Sequence, residues 1–240
     1  MSTGVFGEIV EDYLKQMEQW IGGLAVVTGA SAGIGAATVV KLVKAGVIVV
    51  GLARRIEVLE EMANSLEGEK GTFHPKQCDV TNEEEVIETF QWIEETLGPI
   101  SILINNAGML KPTTLKDGVT EYWKQTFDLN VLAICICTRE GLKSMKTHGI
   151  DGHIIHVNSV AGHFVPNVPL PEPMLNVYPA TKHAVTALTE TLRKELIRVN
   201  SKIKVSEQKE ESAQTKAIHV DADEKKTAGE RLKLVYCLTA

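Results

Sequence analysis

The chain has 240 residues, 44% of them hydrophobic and 23% charged, which is typical of one globular domain with a sizeable core. The formal net charge of −6 gives no indication of nucleic acid or an anionic membrane as a partner. No apolar stretch reaches the roughly 18 residues of a membrane span, and the acidic start does not look like a signal peptide. The four cysteines show no paired framework, as expected of a cytoplasmic protein.

The first 20 residues predict a short N-terminal extension. Apolar side chains recur at helical spacing over residues 1–16, and the segment carries no chemical motif. We expect the folded domain to span residues 21–205.

A glycine-rich turn follows the first predicted strand. Leu24 to Val27 is a short apolar run typical of a buried parallel strand, and Thr28 to Gly35 leads from it into a helix from about Ala36 to Lys44. Glycine lets the backbone turn without a Cβ clash and approach a phosphate at a helix N-terminus. This order predicts a dinucleotide site, although a glycine-rich turn can also be a tight loop without a ligand.

The second strand, predicted at Val47 to Leu52, ends in Ala53, Arg54 and Arg55. In a dinucleotide fold the residues at this position contact the adenosine ribose of the cofactor. A carboxylate there binds the 2′-hydroxyl of NAD, whereas arginine suits the 2′-phosphate of NADP. The two arginines therefore favour NADP, the alternative being a solvated basic strand end.

Strands and helices alternate through the rest of the chain. Thr81 and Glu84 have the pattern of a capping box and predict a helix that runs to about Leu97. The alternation predicts an α/β fold, a Rossmann-like doubly wound parallel sheet with helices on both faces, in a single domain. The other predicted elements are helices at Ile56 to Leu66, Thr120 to Met145 and Tyr178 to Val199, and strands at Thr72 to Cys78, Ile100 to Ile104, His153 to Val157 and Lys202 to Val205.

Candidate site residues gather where these strands end. Ligands bind at the carboxyl ends of parallel strands, and the glycine turn, Arg54, Asp79, Asn106 and Ser159 all fall there. Tyr178 and Lys182, four residues apart at a predicted helix start, share one helix face. An ammonium close to a phenol favours the phenolate, so this pair can transfer a proton near neutral pH. The alternative is an ordinary solvated helix face.

Taken together, these motifs resemble those of the short-chain dehydrogenase/reductase family. The resemblance spans about Leu24 to Val205, and the stretches Ser159 to Val165 and Asn176 to Leu196 are most similar to insect farnesol dehydrogenase-like members, which use NADP. It rests on the Thr28 to Gly35 turn, Asp79-Val80, Asn105-Asn106-Ala107-Gly108, Asn130, Ser159, and Tyr178 with Lys182.

The resemblance implies four catalytic residues. Tyr178 is expected to be the general acid/base. Lys182 would lower the pKa of that phenol and hold the nicotinamide ribose, and Ser159 would hydrogen-bond the substrate oxygen. Asn130 would anchor a water that connects Lys182 to solvent, although a lone helix asparagine can equally be structural.

The resemblance also implies the cofactor contacts and the assembly. A homodimer built on the helices Thr120 to Met145 and Tyr178 to Val199 is expected. The residues expected to hold NADP are Gly29, Ser31, Gly33, Ile34 and Gly35 at the pyrophosphate, Arg54 and Arg55 at the 2′-phosphate, Asp79 and Val80 at the adenine, and Asn106, Ala107 and Gly108 with Tyr178 and Lys182 at the nicotinamide end.

Three histidines lie near the fifth strand. Strand alternation puts His153 and His156 on opposite faces, so we interpret them, with His163, as structural or pocket-lining rather than metal ligands. Between Ser159 and Tyr178 lies a long segment rich in proline and apolar residues. It predicts a stiffened loop beside a pocket for a hydrophobic substrate.

The chain departs from the family after Val205. The Pro-Gly turn that usually touches the nicotinamide is absent, and residues 206–240 are expected to form an atypical, mobile tail. Leu232 to Leu238 is a candidate seventh strand. The leading hypothesis is an NADP-dependent alcohol dehydrogenase or carbonyl reductase for a small lipophilic substrate, such as a farnesol-like isoprenoid, steroid or retinoid. The alternative is a cofactor-binding protein with impaired catalysis.

Overall fold

Six parallel strands form one sheet in the order β3-β2-β1-β4-β5-β6. The structure, a computed structural model, describes residues 18–165 and 175–210. The sheet and its flanking helices confirm the predicted doubly wound α/β fold. The strands are β1 (Leu24–Thr28), β2 (Ile48–Ala53), β3 (Thr72–Gln77), β4 (Ile100–Asn105), β5 (His153–Ser159) and β6 (Lys204–Glu210).

Helices connect the strands and cover the sheet. Two short irregular pieces interrupt the pattern, a π-helical turn at Asp128–Leu132 and a 3-10 turn at Val160–Gly162. The helices are α1 (Gly33–Ala45), α2 (Ile56–Ser65), α3 (Glu83–Leu97), α4 (Thr120–Phe127), α5 (Ala133–Thr147) and α6 (Tyr178–Arg198).

The hydrophobic core lies on both faces of the sheet. Every residue of β1 and of β5 is buried, as expected for central parallel strands covered on two sides. Alternate residues of one strand point to opposite faces, so Val26 and Val27 belong to two separate apolar clusters. This packing holds the carboxyl ends of β1, β2, β4 and β5 in one rigid row.

Helix α3 is capped one residue later than predicted. Its N-cap is Asn82, whose Oδ1 accepts the Glu85 main-chain N–H, while Asn82 Nδ2 donates to Glu85 Oε1 at 2.9 Å. The Thr81 hydroxyl instead donates to Asp79 Oδ1 at 2.8 Å. The prediction of Thr81 with Glu84 was wrong because two overlapping capping patterns occur here. The Thr81 side chain is hydrogen-bonded to the Asp79 carboxylate, and Asn82 caps the helix.

The region predicted as one long helix from Thr120 to Met145 is interrupted. The π-helical turn separates α4 from α5, and Ala133 N–H donates to the Asp128 carbonyl five residues earlier. Such single turns widen a helix locally and are frequent at functional sites. Here the turn contains Asn130, whose side chain is almost completely buried.

Both predicted domain boundaries shift. Trp20, assigned to the extension, is 7% exposed and stacks near His153 with ring centroids 6.4 Å apart. Strand β6 continues five residues past Val205, paired with β5 from His153↔Lys204 to Ser159↔Glu210. The expected mobile tail is therefore wrong for residues 206–210. The predictions for residues 1–17, the proline-rich segment 166–174 and the chain after 210 lie outside the described residues.

Within the described ranges, no helix is long and apolar enough to cross a membrane.

Candidate functional site

The end of β1 is tied to the end of β4 by Thr28 and Asn106. Thr28 Oγ1 accepts the main-chain N–H groups of Asn106 and Ala107, both at 3.0 Å. Asn106 Nδ2 donates back to the carbonyls of Thr28 at 2.8 Å and Gly29 at 3.2 Å. These reciprocal bonds fix the glycine turn against the Asn-Asn-Ala-Gly segment.

Glycine is required in this turn for two different physical reasons. A Cβ on Gly35 would lie 2.4 Å from the Gly29 carbonyl oxygen, and one on Gly29 would lie 2.9 Å from Ala107 Cα. Close packing therefore requires both. Gly33, at φ +56°, faces open space, so glycine is required there by the left-handed conformation alone, which Gly29 shares at φ +66°. The open space lies at the first residue of α1.

The N-terminus of α1 offers main-chain donors to an anion. Its N-cap residue, Ala32, makes no side-chain capping bond, and no acidic residue occupies the first turn. Exposed N–H groups at a helix start bind phosphate oxygens, and the helix dipole favours a negative charge there. Ser31 and Ile34 lie on the same turn and are partly or fully exposed.

The basic end of β2 reaches the glycine turn. Arg55 Nη2 donates to Ser31 Oγ at 3.1 Å, so its guanidinium lies across the mouth of the turn. Arg54 is exposed, and its carbonyl accepts from Gln77 Nε2 at 3.0 Å. Among the described residues, no carboxylate forms an ion pair with either arginine. Both guanidinium charges are thus available to an anionic ligand.

The end of β3 places Asp79 and Val80 differently. Asp79 is partly buried and accepts two hydrogen bonds from Thr81 through one carboxylate oxygen. Val80 is 6% exposed and packs in the core beside Val86. Only the main chain of Val80 therefore remains for contact with a ligand.

Tyr178 and Lys182 stand together at the start of α6. Lys182 Nζ lies 5.7 Å from the centroid of the Tyr178 ring and donates to the Val157 carbonyl at 3.0 Å. The lysine is only 6% exposed, and such burial of an ammonium requires polar partners. A Cβ on Gly108 would come within 4.0 Å of the same nitrogen. The ammonium thus joins Tyr178, the end of β5 and the end of the Asn-Asn-Ala-Gly segment.

Ser159 ends β5 and caps the following 3-10 turn. Its Oγ accepts the Ala161 main-chain N–H at 3.2 Å, and the side chain is buried. Because the oxygen accepts this bond, the hydroxyl proton is available for donation to a ligand oxygen.

Asn130 acts as a clamp between elements. Its Oδ1 accepts Met109 N–H at 2.8 Å, and its Nδ2 donates to the Met109 carbonyl at 2.9 Å and to Thr181 Oγ1 at 3.1 Å. Both amide protons are therefore used within the protein. A water anchored by this residue, as the resemblance implies, would have to use mainly its main-chain groups.

Buried polar side chains continue behind the site. His153 and His156 lie on opposite faces of β5, as predicted: His153 packs near Trp20, and His156 Nδ1 lies 2.9 Å from Thr189 Oγ1. Burial lowers the pKa of each histidine to about 4; the nearby Lys204 adds to this for His153. Both imidazoles are neutral at pH 7.

Sequence reasoning missed three residues that build the site. Thr28 joins β1 to β4, Thr181 receives the amide of Asn130, and Asn176 Nδ2 donates to the Lys111 carbonyl at 2.7 Å. All three act through contacts between residues more than 50 positions apart. An asparagine just before a predicted helix was the one local signal, since asparagine tolerates left-handed backbone.

The residues gathered at this sheet edge fit a dinucleotide. The helix start supplies donors without a side-chain cap, the glycine turn leaves open space beside them, and the Arg55 guanidinium lies next to the turn, with the exposed Arg54 preceding it in the chain. At the other end, the buried Lys182 ammonium lies near the Tyr178 ring and Gly108, and Ser159 ends the strand whose Val157 carbonyl accepts from that ammonium. This arrangement can bind an anionic cofactor at one end and transfer a proton at the other.

Comparison with known proteins agrees with the family resemblance of the sequence motifs. A family model described as short chain dehydrogenase matches residues 23–226. Farnesol dehydrogenase of Aedes aegypti is 46% identical over 192 residues, which cover 79% of this chain and 77% of that protein. Dehydrogenase/reductase SDR family member 11 of Mus musculus is 48% identical over 193 residues, covering 79% and 73%.

Solved structures share the fold. A short-chain type dehydrogenase/reductase from Mycobacterium marinum superimposes with a TM-score of 0.74 at 28% identity, covering 81% of this chain and 74% of that one. A metagenomic short-chain oxidoreductase in complex with NADP gives a TM-score of 0.73 at 26% identity, with coverage of 90% and 91%.

Proposed function

Because the chain belongs to the short-chain dehydrogenase family, we propose that it is an NADP-dependent oxidoreductase that interconverts an alcohol and a carbonyl on a small lipophilic substrate. The observation that carries this proposal is the buried Lys182 ammonium between Tyr178 and Gly108. A positive charge held there against a phenol has a catalytic use, whereas a structural role alone does not require it.

The chain's own residues would manage the proton. In the reducing direction, the Tyr178 phenol donates its proton to the carbonyl oxygen, and Lys182 stabilises the phenolate that remains. The Ser159 hydroxyl donates a hydrogen bond to the same oxygen as charge develops on it. When bound, the nicotinamide supplies or accepts the hydride. Asn130 keeps the Met109 segment and α6 in register during these steps.

The choice of NADP rests on charge. The 2′-phosphate of NADP needs cationic partners, and Arg54 and Arg55 have no carboxylate partner among the described residues. A relative of known structure binds NADP, which supports the same choice. The roles of the glycine turn, Asp79, Val80 and Asn106–Gly108 in holding the cofactor are part of this proposal.

The choice of a lipophilic substrate rests on apolar side chains near the site. Leu110 is 43% exposed two residues after Gly108, and Phe164 and Val165 are 56% and 69% exposed after Ser159. Such side chains provide apolar contact area for an isoprenoid, steroid or retinoid chain. The similarity to a farnesol dehydrogenase favours a farnesol-like substrate.

We also propose a cytoplasmic homodimer. A groove of about 460 Å³ runs between α5 and α6, lined by Ile134, Leu142, Leu188 and Leu192 among others. Leu132, 52% exposed, lies at the start of the same region. Pairing α5 and α6 with those of a second copy would bury this apolar surface.

The test uses the full chain and the absorbance of the reduced nicotinamide. We expect turnover of lipophilic aldehydes or ketones with NADPH. Tyr178→Phe should lower kcat by at least about 100-fold while NADPH binding stays nearly unchanged. Tyr122→Phe, on the exposed face of α4, is the matched control and should keep full activity. A Tyr178→Phe variant with normal turnover would refute the proton-donor role.

A second candidate is a cofactor-binding protein with little turnover. It is favoured by Glu207 of β6, which lies beside the site: its carboxylate accepts from Asn158 at 3.0 Å and pairs with His163 at 2.9 Å. The resemblance implies a Pro-Gly turn just beyond this point, where the chain has Glu210 and Glu211. Tight NADPH binding with no turnover on a broad carbonyl panel would favour this candidate.

A further inference from the structure

The first turn of α6 has no side-chain cap from its N-cap residue. Tyr178 is the first residue of the helix, and the N-cap residue Val177 makes no side-chain capping bond. The Tyr178 N–H donates to the Leu175 carbonyl at 2.8 Å, and Pro179 has no N–H, so main-chain bonds rather than a side-chain cap begin the helix. Side-chain support for the position of the Tyr178 phenol beside the Lys182 ammonium must therefore come from residues other than the N-cap.

Asn176 supplies that support from the preceding residue. Its Nδ2 donates to the Lys111 carbonyl at 2.7 Å, and its Oδ1 accepts the Val177 N–H. Its backbone lies in the left-handed region at φ 37°, where glycine and asparagine are tolerated best. Asn200, at φ 51°, is the one other non-glycine residue with positive φ in the described part of the chain.

The partner of Asn176 is itself anchored. Met109, Leu110 and Lys111, here called the β4 loop, follow directly after Gly108. Asn130 holds the loop through both main-chain groups of Met109, and Lys111 Nζ lies 5.3 Å from the Tyr122 ring centroid. The loop is therefore a fixed support for Asn176.

The turn that carries Tyr178 is held on its other side as well. Thr181 Oγ1 donates to the Tyr178 carbonyl at 2.7 Å and accepts from Asn130 Nδ2 at 3.1 Å. Two asparagine amides, Asn130 and Asn176, thus connect the β4 loop to the same helical turn. Asn176 is the only one of the two that acts on the residues preceding Tyr178.

We propose that Asn176 is a positioning residue for Tyr178: its amide ties the first turn of α6 to the β4 loop and so holds the phenol beside Lys182. The proposal rests on the proposed function of Tyr178 as proton donor. Asn176 acts through Tyr178 and the loop and needs no contact with substrate.

Three variants separate the side chain from the backbone. Asn176→Gly keeps the left-handed conformation but removes the amide. Asn176→Asp keeps the acceptor for Val177 N–H but places a carboxylate oxygen against the Lys111 carbonyl. Asn200→Gly makes the same change at the exposed far end of α6 and is the matched control.

Misplacing a proton donor lowers the rate of the chemical step more than it lowers binding. We expect Asn176→Gly to lower kcat by about 10- to 100-fold, with NADPH dissociation constants within about threefold of wild type. Asn176→Asp should lower kcat similarly, and Asn200→Gly should match wild type. In Asn176→Gly we also expect the pH dependence of kcat to shift to higher pH. A merely structural role of Asn176 would not produce this shift.

Two further readouts need no turnover. Titration of the phenol by ultraviolet absorbance, as a difference from Tyr178→Phe, should move to higher pH in Asn176→Gly. Hydrogen exchange of the β4 loop and the first turn of α6 should accelerate, while the second half of α6 stays unchanged. An inactive wild type would refute the proposed function yet leave these readouts interpretable. Wild-type values for phenol titration and exchange in Asn176→Gly would overturn the positioning role.

Discussion

The buried His156 makes the stability of the protein depend on pH. Its Nδ1 lies 2.9 Å from Thr189 Oγ1, which donates its own proton to the Val185 carbonyl at 2.8 Å, so Nδ1 carries the proton. Nε2 then accepts from Thr138 Oγ1 at 3.2 Å, and Thr138 in turn accepts from Asn105. The network is complete with a neutral imidazole and has no place for a second proton.

The magnitude follows from the pKa. Burial lowers the pKa of His156 from 6.5 to about 4, with the Glu207 carboxylate opposing this as the smaller effect. The unfolded chain therefore binds a proton at higher pH than the folded one, and stability falls as pH drops from about 6.5 to about 4. One such histidine costs about 2 kcal/mol at about pH 5 and about 3 kcal/mol below pH 4. His153, with a pKa of about 4, adds a comparable loss.

The assay is urea unfolding followed by circular dichroism from about pH 7.5 to about pH 5, at fixed protein concentration. His156→Gln removes the titrating group and should flatten the pH dependence by about 2 kcal/mol at about pH 5. It should also lower stability at neutral pH, because hydrogen bonds are lost.

Thr189→Ala is the matched control for this loss. It removes the Nδ1 partner but keeps the imidazole, so stability should fall at all pH values while the slope remains. If His156→Gln retains the full wild-type slope, the buried histidine is not the source of the acid sensitivity.

Three further predictions concern the cofactor site and the assembly. Gly35→Ala should lower stability by about 1–3 kcal/mol in thermal unfolding, because the new Cβ would lie 2.4 Å from the Gly29 carbonyl oxygen. Arg55→Ala should raise the NADPH dissociation constant at least about tenfold in fluorescence titration, since one charged partner of the 2′-phosphate is lost. NADH binding should stay unchanged, and an equal loss for both cofactors would contradict the assignment. Leu188→Glu, in the groove between α5 and α6, should convert a dimer to a monomer in sedimentation.

Local pattern determined the fold and the sheet edge at which the candidate site residues lie. Short runs bounded by glycine, proline and polar residues, most of them apolar, placed five of the six strands within two residues of their observed ends. The positions of the candidate residues after those strands, from the glycine turn to Ser159, were enough to predict that they lie at one edge of the sheet, because carboxyl ends of parallel strands share one edge. The spacing of Tyr178 and Lys182 was sufficient in the same way, since four residues make one helical turn.

Tertiary contacts decided what the local pattern left open. The π-helical turn around Asn130 is held by bonds to Met109, 21 residues away, and to Thr181, 51 residues away. Helical periodicity does not reveal such a break, because the added residue is stabilised by distant partners. Strand β6 continues to Glu210 despite a polar sequence because its ladder with β5 supplies the hydrogen bonds that composition could not indicate.

The placement of the first turn of α6, which carries Tyr178, also depends on tertiary contacts. Asn176 is an ordinary polar residue in the sequence, and its bond to the Lys111 carbonyl spans 65 positions. Residue type and spacing are local properties and are readable along the chain. Which distant carbonyl an amide meets depends on how the sheet brings β4 and α6 together, and only the folded chain contains that information.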